Sequence, residues 1–277
     1  MRSFKTSDGL TLAFQDEGQG TPVLCLAGLT RNVRDFDFMA EALDQDVRLI
    51  RMDYRGRGAS DFDPTYTNYA VPIEARDAIE LLDYLNLPKV VIVGTSRGGI
   101  ISMLLAATAK ERLAGVCLND IGPELADDGL DKIKGYLGKN PSYKTYEDAR
   151  AGLPEFYAGQ FDNVPKGRWA ECAERWWDEG PDGLTINYDP KLRDAVLESS
   201  AQPAPDMWPL FDALAGLPTA LIRGANSDLL TEATAEKMRT RRPDMTYTNI
   251  PDRGHVPFLD EPEALAAIRT LLLKVDL

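Results

Sequence analysis

From Leu10 to Asn119 short apolar segments alternate with segments of helical spacing. Leu10–Phe14 has the two-residue period of a strand, and Val23–Leu26 is a short apolar run closed by Ala27-Gly28. Phe36–Leu43 has helical spacing, and Val47–Met52 reads as a strand ending at Asp53. Within Ile73–Leu85, the residues Ile73, Ala78, Leu81, Leu82 and Leu85 share one helical stripe. Val90–Val93 is an unbroken β-branched run, the signature of a parallel strand buried on both faces. Gly99–Ala109 is rich in helix formers and free of proline, and Leu113–Asn119 is another apolar run. This alternation predicts a parallel α/β sheet with right-handed crossovers.

The pattern changes at Pro123. From there to Ala213 strand signals vanish, and glycine, proline and aromatic residues punctuate short helical pieces. All four tryptophans, Trp169, Trp176, Trp177 and Trp208, lie in this stretch. Alternation returns with a strand at Thr219–Arg223, a helix near Thr231–Arg242, a strand at Met245–Ile250 and a helix over Pro262–Lys274. An α/β core made of residues 1–122 and 214–277, interrupted by a mostly helical cap at 123–213, accounts for this. Two domains in series fit less well, because neither half would hold a complete sheet.

Composition narrows the classes of partner. The chain has 277 residues, 44% hydrophobic and 27% charged, an ordinary globular mix for one large domain or a domain with an insertion. A net charge of −13 repels phosphate backbones and anionic lipid, so neither nucleic acid nor a membrane surface is expected as a partner. No apolar run approaches the roughly 20 residues of a membrane helix, and Met1–Leu10 has no signal-peptide apolar region. Cys25, Cys117 and Cys172 lack metal-ligand spacing, and the first two sit inside strand-like runs. They are expected as small buried hydrophobes rather than disulfides, which favours a reducing, cytoplasmic setting. Nothing in the pattern sets an oligomeric state.

Histidine is the most restrictive count: there is one, His255. A zinc site built on several histidines is excluded, and no metal or cofactor is expected. Gly94-Thr95-Ser96-Arg97-Gly98 fits G-x-S-x-G, directly after the Val90–Val93 run and directly before an apolar helix. That strand-turn-helix setting is what a nucleophile elbow requires, with Ser96 lifted from the sheet and a helix N-terminus aimed at developing charge. His255 lies in the Gly/Pro-bounded loop after Met245–Ile250, where an imidazole can accept and return a proton. The carboxylate that orients it is expected to be Asp228, in the loop after Thr219–Arg223. Asp120 is the rival, following Leu113–Asn119, and Asp252 is nearer in sequence but is expected to point away. The oxyanion donors are expected to be the backbone N–H groups of Arg97, after the nucleophile, and Leu29, after the Val23–Leu26 strand.

At these residues the chain resembles the α/β-hydrolase superfamily, as a serine-nucleophile member of carboxylesterase or lactonase type. Asp53-Tyr54-Arg55-Gly56-Arg57-Gly58-Ala59-Ser60 is similar to the family's D-x-R-G-x-G-x-S loop. Gly254-His255-Val256-Pro257, with Glu261-Pro262-Glu263, is similar to its histidine loop and the start of its last helix. The resemblance implies an eight-stranded, mostly parallel sheet with a helical cap after the sixth strand. Two departures stand out: Ala27-Gly28 where many relatives carry His-Gly, and an unusual Arg97 after the nucleophile.

The expected activity is hydrolysis of a small-molecule carboxylic ester, thioester or lactone through an acyl-enzyme on Ser96. Alternatives are C–C bond hydrolysis or acyl transfer by the same triad, haloperoxidase activity, and a non-catalytic small-molecule receptor. A serine rather than an aspartate at the elbow disfavours dehalogenase and epoxide-hydrolase chemistry. Arg31 and Arg97 are candidate anchors for an anionic group of the substrate, against the alternative that each pairs with an acid such as Asp35 or Asp120. The tryptophans, Trp176 among them, either line an acyl pocket or pack the cap.

Overall fold

Eight strands form one central sheet in the computed structural model, which describes residues 1–43 and 46–276. In chain order the strands are β1 (Arg2–Lys5), β2 (Thr11–Glu17), β3 (Thr21–Leu26), β4 (Val47–Met52), β5 (Val90–Thr95) and β6 (Leu113–Asn119). There follow the short pair β7 (Trp177–Gly180) and β8 (Gly183–Ile186), then β9 (Thr219–Gly224) and β10 (Thr246–Ile250). The sheet order is β1-β2-β4-β3-β5-β6-β9-β10, and β7 and β8 pair separately as an antiparallel hairpin. Only the β1/β2 and β2/β4 pairings are antiparallel within the large sheet. The mostly parallel α/β sheet is thus as the alternation predicts.

Every residue of β5, β6 and β9 is buried, which explains why these strands read as unbroken apolar runs. Each fully buried Val, Leu or Ile there contributes about 1.5–3 kcal/mol of transfer free energy. Among the helices, α1 spans Asp37–Ala42, α2 Val71–Tyr84 and α3 Arg97–Thr108. α2 turns Ala75, Ala78, Leu81 and Leu82 inward, whereas Ile73 and Leu85 of the expected stripe are only half-buried, and the helix has a proline in its first turn. Between β6 and β9 come α4 (Asp127–Tyr136), α5 (Tyr146–Phe156), α6 (Arg168–Trp176), α7 (Leu192–Ser200) and α8 (Trp208–Asp212). Finally, α9 (Glu232–Arg241) and α10 (Pro262–Leu272) flank β10 in sequence.

Three features differ from the pattern reading. β1 contributes a single buried side chain, Phe4, so no two-residue period marks it. Phe36–Leu43 divides into a 3-10 turn at Val33–Phe36, capped by the Asn32 side chain, and the shorter α1. The stretch between β6 and β9 contains the β7–β8 hairpin, whose polar Trp-Asp-Glu-Gly strand hides it from a hydrophobicity scan. An apolar cluster around Leu153, Phe161, Trp169 and Leu184 joins this stretch to Phe38 and Phe258 outside it, whereas Phe211 in α8 joins the main core beside the sheet. All three cysteines are free and buried, with burial pushing each thiol up to about 12. Among the described residues no helix is long and apolar enough to cross a membrane.

Candidate active site

β5 passes into α3 with a single intervening residue, Ser96, at φ 50° and ψ −112°. Such a backbone costs on the order of 1–3 kcal/mol for a non-glycine residue, and the surrounding turn must hold it. The flanking glycines make the turn possible. A Cβ at Gly94 would lie 2.5 Å from the Gly98 carbonyl oxygen, and one at Gly98 would lie 2.0 Å from that of Leu26. Ser96 N–H donates to Asn119 O of β6 at 3.0 Å, and Gly98 N–H to Ala27 O at 3.1 Å. The elbow is thereby stitched to both neighbouring strands.

His255 bridges the serine and a carboxylate. Its Nε2 is 2.9 Å from Ser96 Oγ, and its Nδ1 is 2.7 Å from Asp120 Oδ2. An acceptor-only carboxylate at Nδ1 fixes the proton there and leaves Nε2 as the acceptor for the serine hydroxyl. Asp120 is fully buried and takes two further hydrogen bonds, from Gly224 N–H at 2.8 Å and Ser227 Oγ at 2.6 Å.

The expectation that Asp228 holds the imidazole is therefore corrected: the structure brings Asp120 to His255. Asp228 Oδ2 instead accepts from Lys132 Nζ at 2.6 Å and Gln160 Nε2 at 2.5 Å, fastening α4 to the loop after β9. The reason lies in strand order. β6 lies beside β5, which carries Ser96, whereas β9 is one strand further out. The loop after β9 supplies donors to Asp120 rather than a carboxylate of its own. Asp252 points away as expected, accepting from Asn163 Nδ2 at 2.8 Å.

Leu29 and Arg97 present backbone N–H groups for which no acceptor exists among the described residues. Both lie beside Ser96, one in the loop after β3 and one at the first residue of α3. The Arg97 side chain turns away from the cavity to Glu74 Oε2 at 2.5 Å and Tyr69 O at 3.0 Å. Its carboxylate partner is thus Glu74, not Asp120. Glu74 is fully buried in α2 and also meets Arg57 Nη1 at 2.8 Å, while Arg57 Nε donates to Leu29 O at 3.0 Å. Burial opposes ionisation of Glu74, but the two guanidinium groups outweigh it and hold its carboxyl below the usual range. One buried carboxylate therefore links the loop of Leu29 to the helix start at Arg97.

The motifs flanking the site act as braces. Asp53 accepts from Val33 N–H at 2.7 Å and Ala59 N–H at 2.9 Å, shaping the loop below the site. Glu261 accepts from Phe258 N–H, Leu259 N–H and Arg253 Nε, fixing the histidine loop.

A cavity of about 520 Å3 opens over Ser96 and His255. Leu29, Arg31 and Asp35 form one side, and Ile133, Tyr136 and Tyr157 from the stretch between β6 and β9 form another. An adjoining chamber of about 270 Å3 shares Arg31, Tyr136 and Tyr157 and reaches Trp176, Trp177 and Tyr188. Trp176 thus faces the second chamber rather than the one holding Ser96. Trp169 is stacked on Tyr157, and Trp208 hydrogen-bonds Glu124. The sequence reading missed Tyr136, the last residue of α4, and Tyr157, just beyond α5, since nothing in an aromatic residue at a helix end marks it as facing a cavity. Among the described residues no group of three or more His, Cys, Asp or Glu side chains is placed to hold a metal ion.

The model of the alpha/beta hydrolase family matches residues 23–268, nearly the whole span from β3 to α10. The chain belongs to the alpha/beta-hydrolase family. The 3-hydroxybutyrate-oligomer hydrolase of Cupriavidus necator is 36% identical over 252 residues, covering 88% of this chain and 85% of that protein. The 2-(acetamidomethylene)succinate hydrolase of Mesorhizobium japonicum is 26% identical, covering 89% of this chain and 85% of that protein. A crystal structure of an alpha/beta hydrolase from Novosphingobium aromaticivorans superposes with a TM-score of 0.92 and 40% identity, covering 99% of this chain and 98% of that one. Each of these three relatives is named as a hydrolase.

Proposed function

We propose that the protein is a serine hydrolase of small carboxylic esters, with Ser96 as nucleophile, His255 as general base and acid, and Asp120 as the orienting carboxylate. The hydrogen-bonded line from Asp120 through His255 to Ser96 carries the proposal. In this reading Ser96 Oγ attacks the ester carbonyl as its proton passes to His255 Nε2. The developing oxyanion is taken up by the N–H groups of Leu29 and Arg97. His255 then gives the proton to the leaving alkoxide, and the acyl group remains on Ser96 as an ester. Water that loses a proton to His255 attacks the acyl carbonyl, the carboxylic acid leaves and the serine hydroxyl is restored.

Short esters of hydroxy acids are the proposed substrates, with residues 123–213 as the cap that sets their size. The Cupriavidus relative, matched over most of both chains, supports this class, and a 520 Å3 cavity suits a ligand of that size. Three buried, unpaired thiols support a reducing compartment such as the cytoplasm. A receptor reading is less well supported, since it has no use for a serine already hydrogen-bonded to its base. The deciding test is Ser96→Ala assayed on 4-nitrophenyl acetate and on the linear dimer of 3-hydroxybutyrate. We expect kcat to fall by at least a thousandfold, as typical of triad loss. Retention of more than about a tenth of wild-type kcat would exclude the covalent route.

A further inference from the structure

Building on the ester-hydrolase reading, we infer that Arg31 is a carboxylate-binding site, and that the substrates are esters carrying a free carboxylate a few bonds from the scissile carbonyl. Arg31 lines both the chamber that holds Ser96 and the adjoining one. Its Cγ and the Ser96 Cβ lie 3.5 Å and 3.9 Å from the point where Gly28 would carry a Cβ, so the two side chains flank Gly28 on the cavity floor. A group bound at the guanidinium therefore belongs to the same small molecule as a carbonyl bound at Ser96.

Charge pairing separates Arg31 from most sheltered arginines; Arg223 also lacks a carboxylate, but its guanidinium is taken up by Leu230 O at 2.9 Å and Asn249 Oδ1 at 3.0 Å. Arg55, Arg57, Arg97, Arg168 and Arg253 each meet a carboxylate at 2.5–2.9 Å. The ion partner of Arg31 is Asp35, reached from Nε at 4.0 Å, beyond hydrogen-bond distance. No described carboxylate lies within ion-pair distance of its Nη nitrogens, and the Tyr157 hydroxyl is near enough to feel its charge. Burial raises the Asp35 carboxyl above its usual range although Arg31 opposes this. The other cation of the chamber, Lys132, is mostly exposed and held by Asp228 at 2.6 Å.

The guanidinium is also held in place before any ligand arrives. It stacks on Trp176 with 3.9 Å from its central carbon to the ring centroid, and Arg31 N–H closes a turn onto Gly28 O at 3.1 Å. The ring beneath it restrains the guanidinium, whose fork of N–H groups can give two parallel hydrogen bonds to a carboxylate. In a protein of net charge −13, attraction for an anion must come from such a local, sheltered cation. The rival role is a structural clamp, in which Arg31 merely joins the loop after β3 to α6 through Trp176.

The test compares acetate release from 3-acetoxybutyrate and from its neutral amide, 3-acetoxybutanamide, with wild type, Arg31→Gln and Arg31→Lys. We expect wild type to favour the acid by roughly ten- to a hundredfold in kcat/KM, the usual range for a hydrogen-bonded charge. Arg31→Gln should bring the ratio close to one, and Arg31→Lys should fall between. Equal treatment of the two esters by wild type, or equal loss on both in Arg31→Gln, would overturn the inference and support the clamp. Calorimetric binding of 3-hydroxybutyrate against 3-hydroxybutanamide gives a readout independent of turnover. Arg31-dependent acid binding with no hydrolysis of either ester would uphold the site and overturn the hydrolase reading. Hydrolysis without acid preference would do the reverse.

Discussion

Replacing Glu74 by Gln tests the buried link between the two proposed oxyanion donors. Glu74 is fully buried and shared by Arg57 and Arg97, at 2.8 Å and 2.5 Å. Removing one member of such a group leaves uncompensated cations, at a cost of about 3–5 kcal/mol. In a domain of this size each kcal/mol lowers Tm by about 2–4 °C, so a fall on the order of 10 °C is expected. The effect should not stop at stability. Arg57 holds the Leu29 carbonyl at 3.0 Å, and the backbone of Arg97 supplies the second donor, so both N–H groups lose their common support. Outright loss of one oxyanion donor costs about 10²–10³ in kcat, and loosening two should cost roughly ten- to a hundredfold. KM should move by less than about threefold, because the donors act on charge that develops only in the transition state. Thermal denaturation, and kcat and KM measured well below both midpoints, would check this. An unchanged Tm would show that the buried charges are not mutually supporting. A lowered Tm with unchanged kcat would show that Glu74 holds the fold but does not position the donors.

Two further outcomes follow from the same contacts. Asp120→Asn should lower kcat by about 10⁴ through the wrong imidazole tautomer. Asp228→Asn, which breaks a pair with an exposed lysine, should leave kcat within about threefold, and kinetics of the two folded variants would separate them. Arg48 hydrogen-bonds Asp16 at 2.8 Å and holds its carboxyl below the usual range, against the opposing effect of burial. A depressed carboxyl stabilises the fold above the ordinary Asp range, and that stabilisation is lost as pH falls through the lowered value. The Tm gap between wild type and Arg48→Gln should therefore be full at pH 7 and close in acid; a gap independent of pH would refute the pairing.

The sheet was largely legible because its central strands are buried on both faces. Val47–Met52 and Leu113–Asn119 coincide with β4 and β6, and the helices over α2, α3, α9 and α10 fall within a few residues of their expected spans. Legibility failed where burial does not dictate the pattern. β1 has one inward side chain, and the β7–β8 hairpin buries only Leu184 fully. The aromatic residues of the capping stretch posed a different difficulty. Tyr157 packs against Trp169 on one side and lines the cavity on another, so its pattern is that of a core residue and its position alone reveals the second role.

Within the site, Ser96 and His255 were marked by motif and by scarcity, but the acid was not. Both Asp120 and Asp228 follow a strand that ends at the same edge of the sheet, and chain order places either one between serine and histidine. The distinguishing signal was nonetheless present in the residues. Asp120 ends an unbroken buried run after Asn119, so its carboxylate emerges where only internal partners can satisfy it. Asp228 sits four residues beyond β9 among Asn226 and Ser227, which favour a turn at the rim, and there it pairs with the exposed Lys132. A carboxylate that must be buried to orient an imidazole is better sought at the end of a fully apolar strand than within a polar turn. Strand adjacency then decides the matter: β6 borders β5, so Asp120 and Ser96 stand on neighbouring strands with His255 spanning them.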